Sequence, residues 1–237
     1  MIKFFRYIRQ NLIMENKTGK YLKYAIGEIV LVVIGILIAL QINNWNESQK
    51  ALKKEKIYLV KLSQNLKDDI NLLEDIIKTD SIIINDLKKL SEEILTATSI
   101  QDINLKTNSR FRYLLFNPNK TTLDNIISSG QIEIIRNDSI VESLLKYYKS
   151  VTKNREGIDE SLKNYSRDIE NFFMNFDHTR NDEILKKKTI EDYRDHPFVL
   201  NSFFYKVGLL KYQINNYSLL IKEAKHNLNL IEKEYDK

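Results

Sequence analysis

Three histidines, no cysteine and a scatter of carboxylates are what this 237-residue sequence offers to chemistry. Without cysteine there is no thiol nucleophile and no thiolate metal ligand. His178, His196 and His226 are far from the i,i+4 spacing that sets two imidazoles side by side on a helix to hold zinc. The adjacent acid pairs Asp68-Asp69 and Glu92-Glu93 point about 100° apart on a helix, which reads as a solvated face rather than a catalytic pair. Gly19-Lys20 cannot close a phosphate-binding loop, because Met14 stands where the earlier glycine is needed. The glycine patterns of serine hydrolases and dinucleotide folds are also missing. The expectation is therefore a protein without enzymatic activity, cofactor or metal. Aromatics are the one remaining concentration: Phe172, Phe173 and Phe176 in NFFMNF, and Phe203, Phe204 and Tyr205 in NSFFY. Phe172, Phe173, Phe176, Phe203 and Phe204 could line a ligand pocket where two helices turn toward each other. The alternative is plain core at a bundle end, since Phe172, Phe176 and Phe203 lie on packing stripes.

The elements that must position these residues are helical. Only six Gly and two Pro occur, which disfavours sandwiches and Gly-rich folds. From Tyr24 the chain reads YAIGEIVLVVIGILIALQI, 19 residues whose strongly polar members are Glu28 and Gln41. As a helix this covers about 28 Å, close to the ~30 Å hydrocarbon thickness of a bilayer. Lys20, Tyr21, Lys23 and Tyr24 at one end and Trp45 at the other suit the two membrane interfaces. Residues 1–23 hold six of the 37 Lys and Arg and one acid, so this tail carries the whole net charge of +5 and the remainder is balanced. A basic tail beside an apolar run points to lipid head groups rather than nucleic acid. Met1, Phe4, Phe5, Ile8 and Leu12 share one face of that tail, opposite Lys3, Arg6 and Arg9, the pattern of a helix lying in the head-group plane. Four bases (Lys50, Lys53, Lys54, Lys56) follow the span within 18 residues, against six before it. That bias puts the amino terminus in the cytoplasm. Glu28 either snorkels to the near interface or joins Leu31, Gly35 and Ala39 in a transmembrane packing face.

The organisation expected is thus a basic tail over 1–23, a transmembrane helix over 24–42 and a helical domain over 43–237. In that domain Leu59, Leu62, Leu66, Leu73, Ile76, Ile83, Leu87, Leu90 and Ile94 follow helical spacing, interrupted by Asp69 and Asp80. The spacing predicts a first long helix ending near Leu95. TTLDNIISSG reads as a short helix capped by Thr121 and stopped by Gly130. A second long helix starts at Asn137 or Ser139 and weakens over Asn154 to Gly157, the place for a bend. The third, from Phe203 to Tyr235, alternates steps of four and three without a miss, as in a coiled coil. The fold class expected is all-α: one transmembrane helix followed by an elongated antiparallel bundle of three long helices with short helices between.

MIKFFRYIRQNLIMENKTGKYLKYAIGEIVLVVIGILIALQINNWNE resembles the opening of a family of bacterial membrane proteins known as a domain of unknown function, family 6090, widespread in Bacteroidota. TTLDNIISSGQIEIIRNDSIVESLLKYY is similar to an internal segment of the same family. The resemblance implies a single-span protein with a helical domain and brings no catalytic residues. The function expected is a membrane-anchored scaffold of the bacterial inner membrane, its domain periplasmic, binding itself or another envelope protein and the lipid bilayer but no nucleic acid. The alternative is a sensory ligand-binding domain like the helical bundles of chemoreceptors. Against it stands the expectation that inward signalling returns through a second span, which the sequence after Trp45 does not offer.

Overall fold

The computed structural model describes residues 18–103, 108–177 and 187–235, and every regular element among them is helical. The amphipathic tail lies outside the described residues. Among the described residues six α-helices follow in chain order: α1 Thr18–Thr96, α2 Thr121–Ser128, α3 Asp138–Asn154, α4 Glu160–Phe176, α5 Ile190–Arg194 and α6 Pro197–Tyr235. A single π-helical turn, Arg155–Asp159, joins α3 to α4. The chain divides into two compact units, Met1–Glu55 and Lys56–Lys237, and α1 contributes to both.

In the first unit α1 holds the apolar segment, and none of the side chains in its most apolar 18-residue stretch is buried. It is long and apolar enough to cross a membrane.

The second unit is built on the stripes legible in the sequence. Leu62, Leu66 and Leu73 of α1 share one core with Ile140, Leu144 and Tyr147 of α3 and with Tyr217, Leu220 and Ala224 of α6. Ile83, Leu87 and Leu90 of α1 share a second core with Leu162, Ile169 and Phe173 of α4 and with Phe203 and Leu210 of α6. The polar contacts fix the directions. Asn137 bonds Glu234, Ser150 bonds Glu223, Asp159 bonds Tyr217 and Tyr165 bonds the Ser202 carbonyl, so α6 runs antiparallel to α3 and α4. Tyr147 reaches Asp69 near the start of the α1 core, while Phe173 packs with Leu90 near its end, so α1 and α3–α4 run the same way.

Two parallel helices adjacent in sequence require a return leg, and residues 111–120 supply it as a stretch without helix or strand. Its peptide groups cannot be left bare where Phe116 is only 2 % exposed. No backbone-to-backbone hydrogen bond joins residues 111–119 to other described residues; helix side chains bind them instead. The Lys206 ammonium donates to the carbonyls of Ser109, Arg110 and Arg112 at 3.0, 2.8 and 2.7 Å. Gln213 donates to the Leu114 carbonyl, and the Phe116 amide donates to the Tyr217 hydroxyl. At the far end the Asn119 amide donates to Asp69, while the Asn119 carbonyl accepts from Asn65 and Tyr148. Asp69, read from the sequence as half of a solvated pair, is 2 % exposed for this reason.

Local signals agree in most places. Asn137, not Ser139, caps α3 by accepting the Ser139 amide. Gly130 sits beyond α2 at φ 67°, the left-handed position where a Cβ would be strained. Thr121 is the first residue of α2 rather than its cap; Lys120 holds the cap position and makes no side-chain bond there. A capping box of Thr189 and Asp192 starts the short α5.

Replacing Lys206 by Met keeps the aliphatic stem and strands three buried carbonyls. Denaturant titration of the full chain in detergent should show a loss on the order of 3 kcal/mol or more. Lys211→Met, on the exposed side of the same helix, should leave the midpoint unchanged.

Candidate functional site

Chemistry-bearing side chains gather in four places, beginning with the apolar segment. Tyr24 and Trp45 at its ends are 54 % and 65 % exposed, as membrane-interface residues are before lipid covers them. Lys23 is also exposed, while the side chains of Lys20 and Tyr21 lie outside the described residues. Along the expected packing face, Leu31 and Ala39 are exposed and a Cβ added to Gly35 would meet nothing within 4 Å. Glu28 is half-buried and engaged within its own chain.

The aromatic clusters do come together. Phe173 stacks on Phe203 at 6.1 Å, and Phe172 stacks on Phe176 at 5.1 Å beside His196 and Phe198. Phe173 and Phe203 are each 1 % exposed, with the Arg110 guanidinium 4.2 Å over the Phe173 ring, so these two rings are packed into the core. Arg110 is held there by Asp177 at 3.1 Å, and Asp177 also accepts from Tyr193. Phe204 does not belong to the group. It is 82 % exposed because Phe203 and Val207 hold the inward stripe, and the next residue points about 100° away.

The third place is beneath the return leg. Asp80 is fully buried, and neither carboxylate oxygen has a hydrogen-bond partner among the described residues. Burial pushes its carboxyl up to about 7, against the pull of Lys206 and Arg112 and with the repulsion of Asp159. Burial pushes Lys206 the other way, and Asp80 partly restores it. Three carbonyl acceptors call for the three N–H groups of an ammonium, so the lysine keeps its charge in this geometry.

The fourth is an open cleft of about 720 Å³ at the π turn. Leu115, Phe116 and Asn117 of the return leg form one wall. Thr152, Arg155, Glu156, Asp159, Glu160 and Lys163 form the other. The π turn inserts one residue into the stripe, and Asp159 is thereby buried to 5 % exposure. Its Oδ1 accepts from the Tyr217 hydroxyl at 3.0 Å, the same hydroxyl that accepts the Phe116 amide. Burial raises the Asp159 carboxyl, opposed by the Tyr217 bond and by the nearby charges of Arg155 and Lys163. The sequence marked this region only as a weak stretch of helix over Asn154 to Gly157; it carried no sign of the wall opposite. Among the described residues no three His, Asp or Glu converge closely enough to hold a metal. His226 is exposed, His196 packs against Phe172 and Phe176, and His178 lies outside the described residues.

The model of one protein family, described as a family of unknown function (DUF6090), matches residues 28–205. That span takes in the apolar segment, the return leg, the π turn and the start of α6. No curated protein and no solved structure matches the chain.

The buried carboxyl makes stability depend on pH in an unusual sense. A folded-state value near 7 against an ordinary 3.8 means that the folded chain holds a proton the unfolded chain releases between those limits. Its contribution is therefore present at low pH and lost as pH rises from about 4 through 7. Asp69 and Asp159 are raised too and act in the same direction. Denaturation midpoints at pH 5 and pH 7.5 should show the decline, and Asp80→Asn should make it smaller, leaving the part due to Asp69 and Asp159.

Proposed function

Because the chain belongs to the family of unknown function DUF6090, we propose its role from its own structure: a membrane-anchored helical interaction module without catalytic activity. The observation that carries the reading is the segment around Ile29 to Leu40, apolar on every side and covered by none of the other described residues. So much contiguous apolar surface is not stable in water, and a bilayer is the solvent that matches its length and its all-round hydrophobicity. Tyr24 and Trp45 then sit at the two interfaces. The excess of bases before the segment supports a reading with the amino-terminal side in the cytoplasm and the helical domain on the periplasmic side of an inner membrane.

The interaction role rests on the outer face of α6. Phe204, Tyr205, Tyr212 and Leu219 are 82, 57, 59 and 49 % exposed, a concentration of large apolar groups that ordinary solvated helices avoid. The expected occupant is a second copy or another envelope protein. Balanced charge after residue 23 gives no stripe for nucleic acid. The absence of a catalytic role is supported by the positions of the polar groups. Asp69, Tyr148, Tyr217, Gln213 and Lys206 are engaged in holding the return leg, and His196 and His226 lie apart from them. A second reading, a ligand-binding sensory domain, draws support from the cleft at the π turn.

Two measurements test the anchor and the partner. The full-length protein should remain in the membrane pellet after alkaline carbonate extraction; release into the supernatant contradicts the anchor. As the chain has no cysteine, Phe204→Cys and Tyr212→Cys place single thiols on the outer face of α6. Bismaleimide treatment of intact cells should trap a dimer or a defined heteromeric product with either variant. Lys78→Cys, exposed on α1, should trap none, and a wholly monomeric pattern for all three contradicts the interaction role.

A further inference from the structure

Five charges crowd two turns of helix at the π cleft, in the order Arg155, Glu156, Asp159, Glu160 and Lys163. Helical charges at this spacing ordinarily close on one another as i,i+4 pairs. Here Arg155 and Lys163 both lie near enough to Asp159 to favour its ionised form. Yet among the described residues neither forms an ion pair with it or with the glutamates. Asp159 is turned inward onto Tyr217 instead, and the two cations and Glu156 are left facing the cleft. Opposite them stand Leu115 and Phe116, an apolar wall. The fold makes this arrangement at a cost, since it needs both the return leg and a π turn, a rare insertion that destabilises a helix and recurs at functional sites.

The lining discriminates among occupants. A bare metal ion is excluded by the lack of three converging ligands among the described residues. A polyanion meets three carboxylates and two cations, and a purely apolar molecule meets five charges on the rim. What matches is a small molecule carrying both signs on a partly apolar body. We propose that the cleft binds a small zwitterion, an ammonium carboxylate of the free amino acid class. Its ammonium sits between Glu156 and Glu160, its carboxylate on Arg155 or Lys163, and its side chain against Leu115 and Phe116. Thr152 and Asn117 stand at the mouth as further hydrogen-bonding groups. This binding is independent of whether the outer face of α6 also recruits a protein.

The test uses the full-length chain in detergent, with the twenty common amino acids as probes at about 10 mM, read by thermal shift and then by calorimetry. Acetate and ethylammonium serve as probes of one charge each. At least one amino acid should raise the melting temperature saturably, with a dissociation constant at or below about 1 mM, and neither single-charge probe should reproduce it. Arg155→Met and Glu156→Gln alter exposed side chains and should leave the unliganded melting temperature in place while weakening binding about tenfold each. Arg167→Met, exposed on α4 away from the lining, should bind as the parent does. The proposal is overturned if no amino acid binds, if acetate or ethylammonium binds as well, or if the two rim variants bind unchanged.

Discussion

A non-helical peptide segment between helices must find partners for its amides and carbonyls, and helices have none to spare, because their own backbones are satisfied internally. The bundle meets that constraint with side chains: Asp69, Asn65 and Tyr148 at one end of the return leg, Tyr217 and Gln213 at its middle, Lys206 at the other. Much else follows from it. The return leg lets α1 and α3–α4 run parallel, places Phe116 in the core and sets the wall opposite the π turn. Without it the chain would have to form a simple antiparallel hairpin of helices, and the cleft would have one side only.

That dependence explains the polar residues in the interior. Asp69, Asp80, Asp159, Lys206 and Gln213 are all buried, an unusual concentration for a helical domain. Each except Asp80 makes hydrogen bonds that hold the return leg directly or through Tyr217. Asp80 is the exception in kind: it makes no hydrogen bond among the described residues, and its burial outweighs the pull of Lys206 and Arg112, which is why its proton is held so late. A bundle of the same length with apolar residues at these sites would pack more simply but could not seat the return leg.

The helices themselves were legible because their stripes are long. Leu59 to Ile94, Ile140 to Ile169 and Phe203 to Ile231 appear in the cores as their spacing predicts, and Asn137 and Gly130 mark the ends they were expected to mark. What the spacing could not express was the meaning of its interruptions. Asp69 and Asp80 read as breaks in the apolar stripe of α1, and they turned out to be buried where the return leg and Lys206 lie against that stripe. Residues 111–120 have no period of their own, since their conformation is imposed by partners 29 to 101 positions away in sequence. The aromatic clusters were recognised as a group, but exposure separated Phe204 from Phe203, a difference of one residue and one side of a helix. The cleft escaped because its two walls come from segments joined only in the fold, with a weakened stretch of helix as the sole signal.

Amide hydrogen exchange, resolved by residue on the full chain, addresses the return leg most directly. If side-chain bonds lock it into the core, the Phe116 and Asn119 amides should exchange as slowly as those of Leu144 and Leu220 in the flanking helices, opening only with the whole domain. Exchange of those two amides on the timescale of the exposed turn at 97–102, with the helices still protected, would show a segment lying loosely on the bundle and would contradict the account.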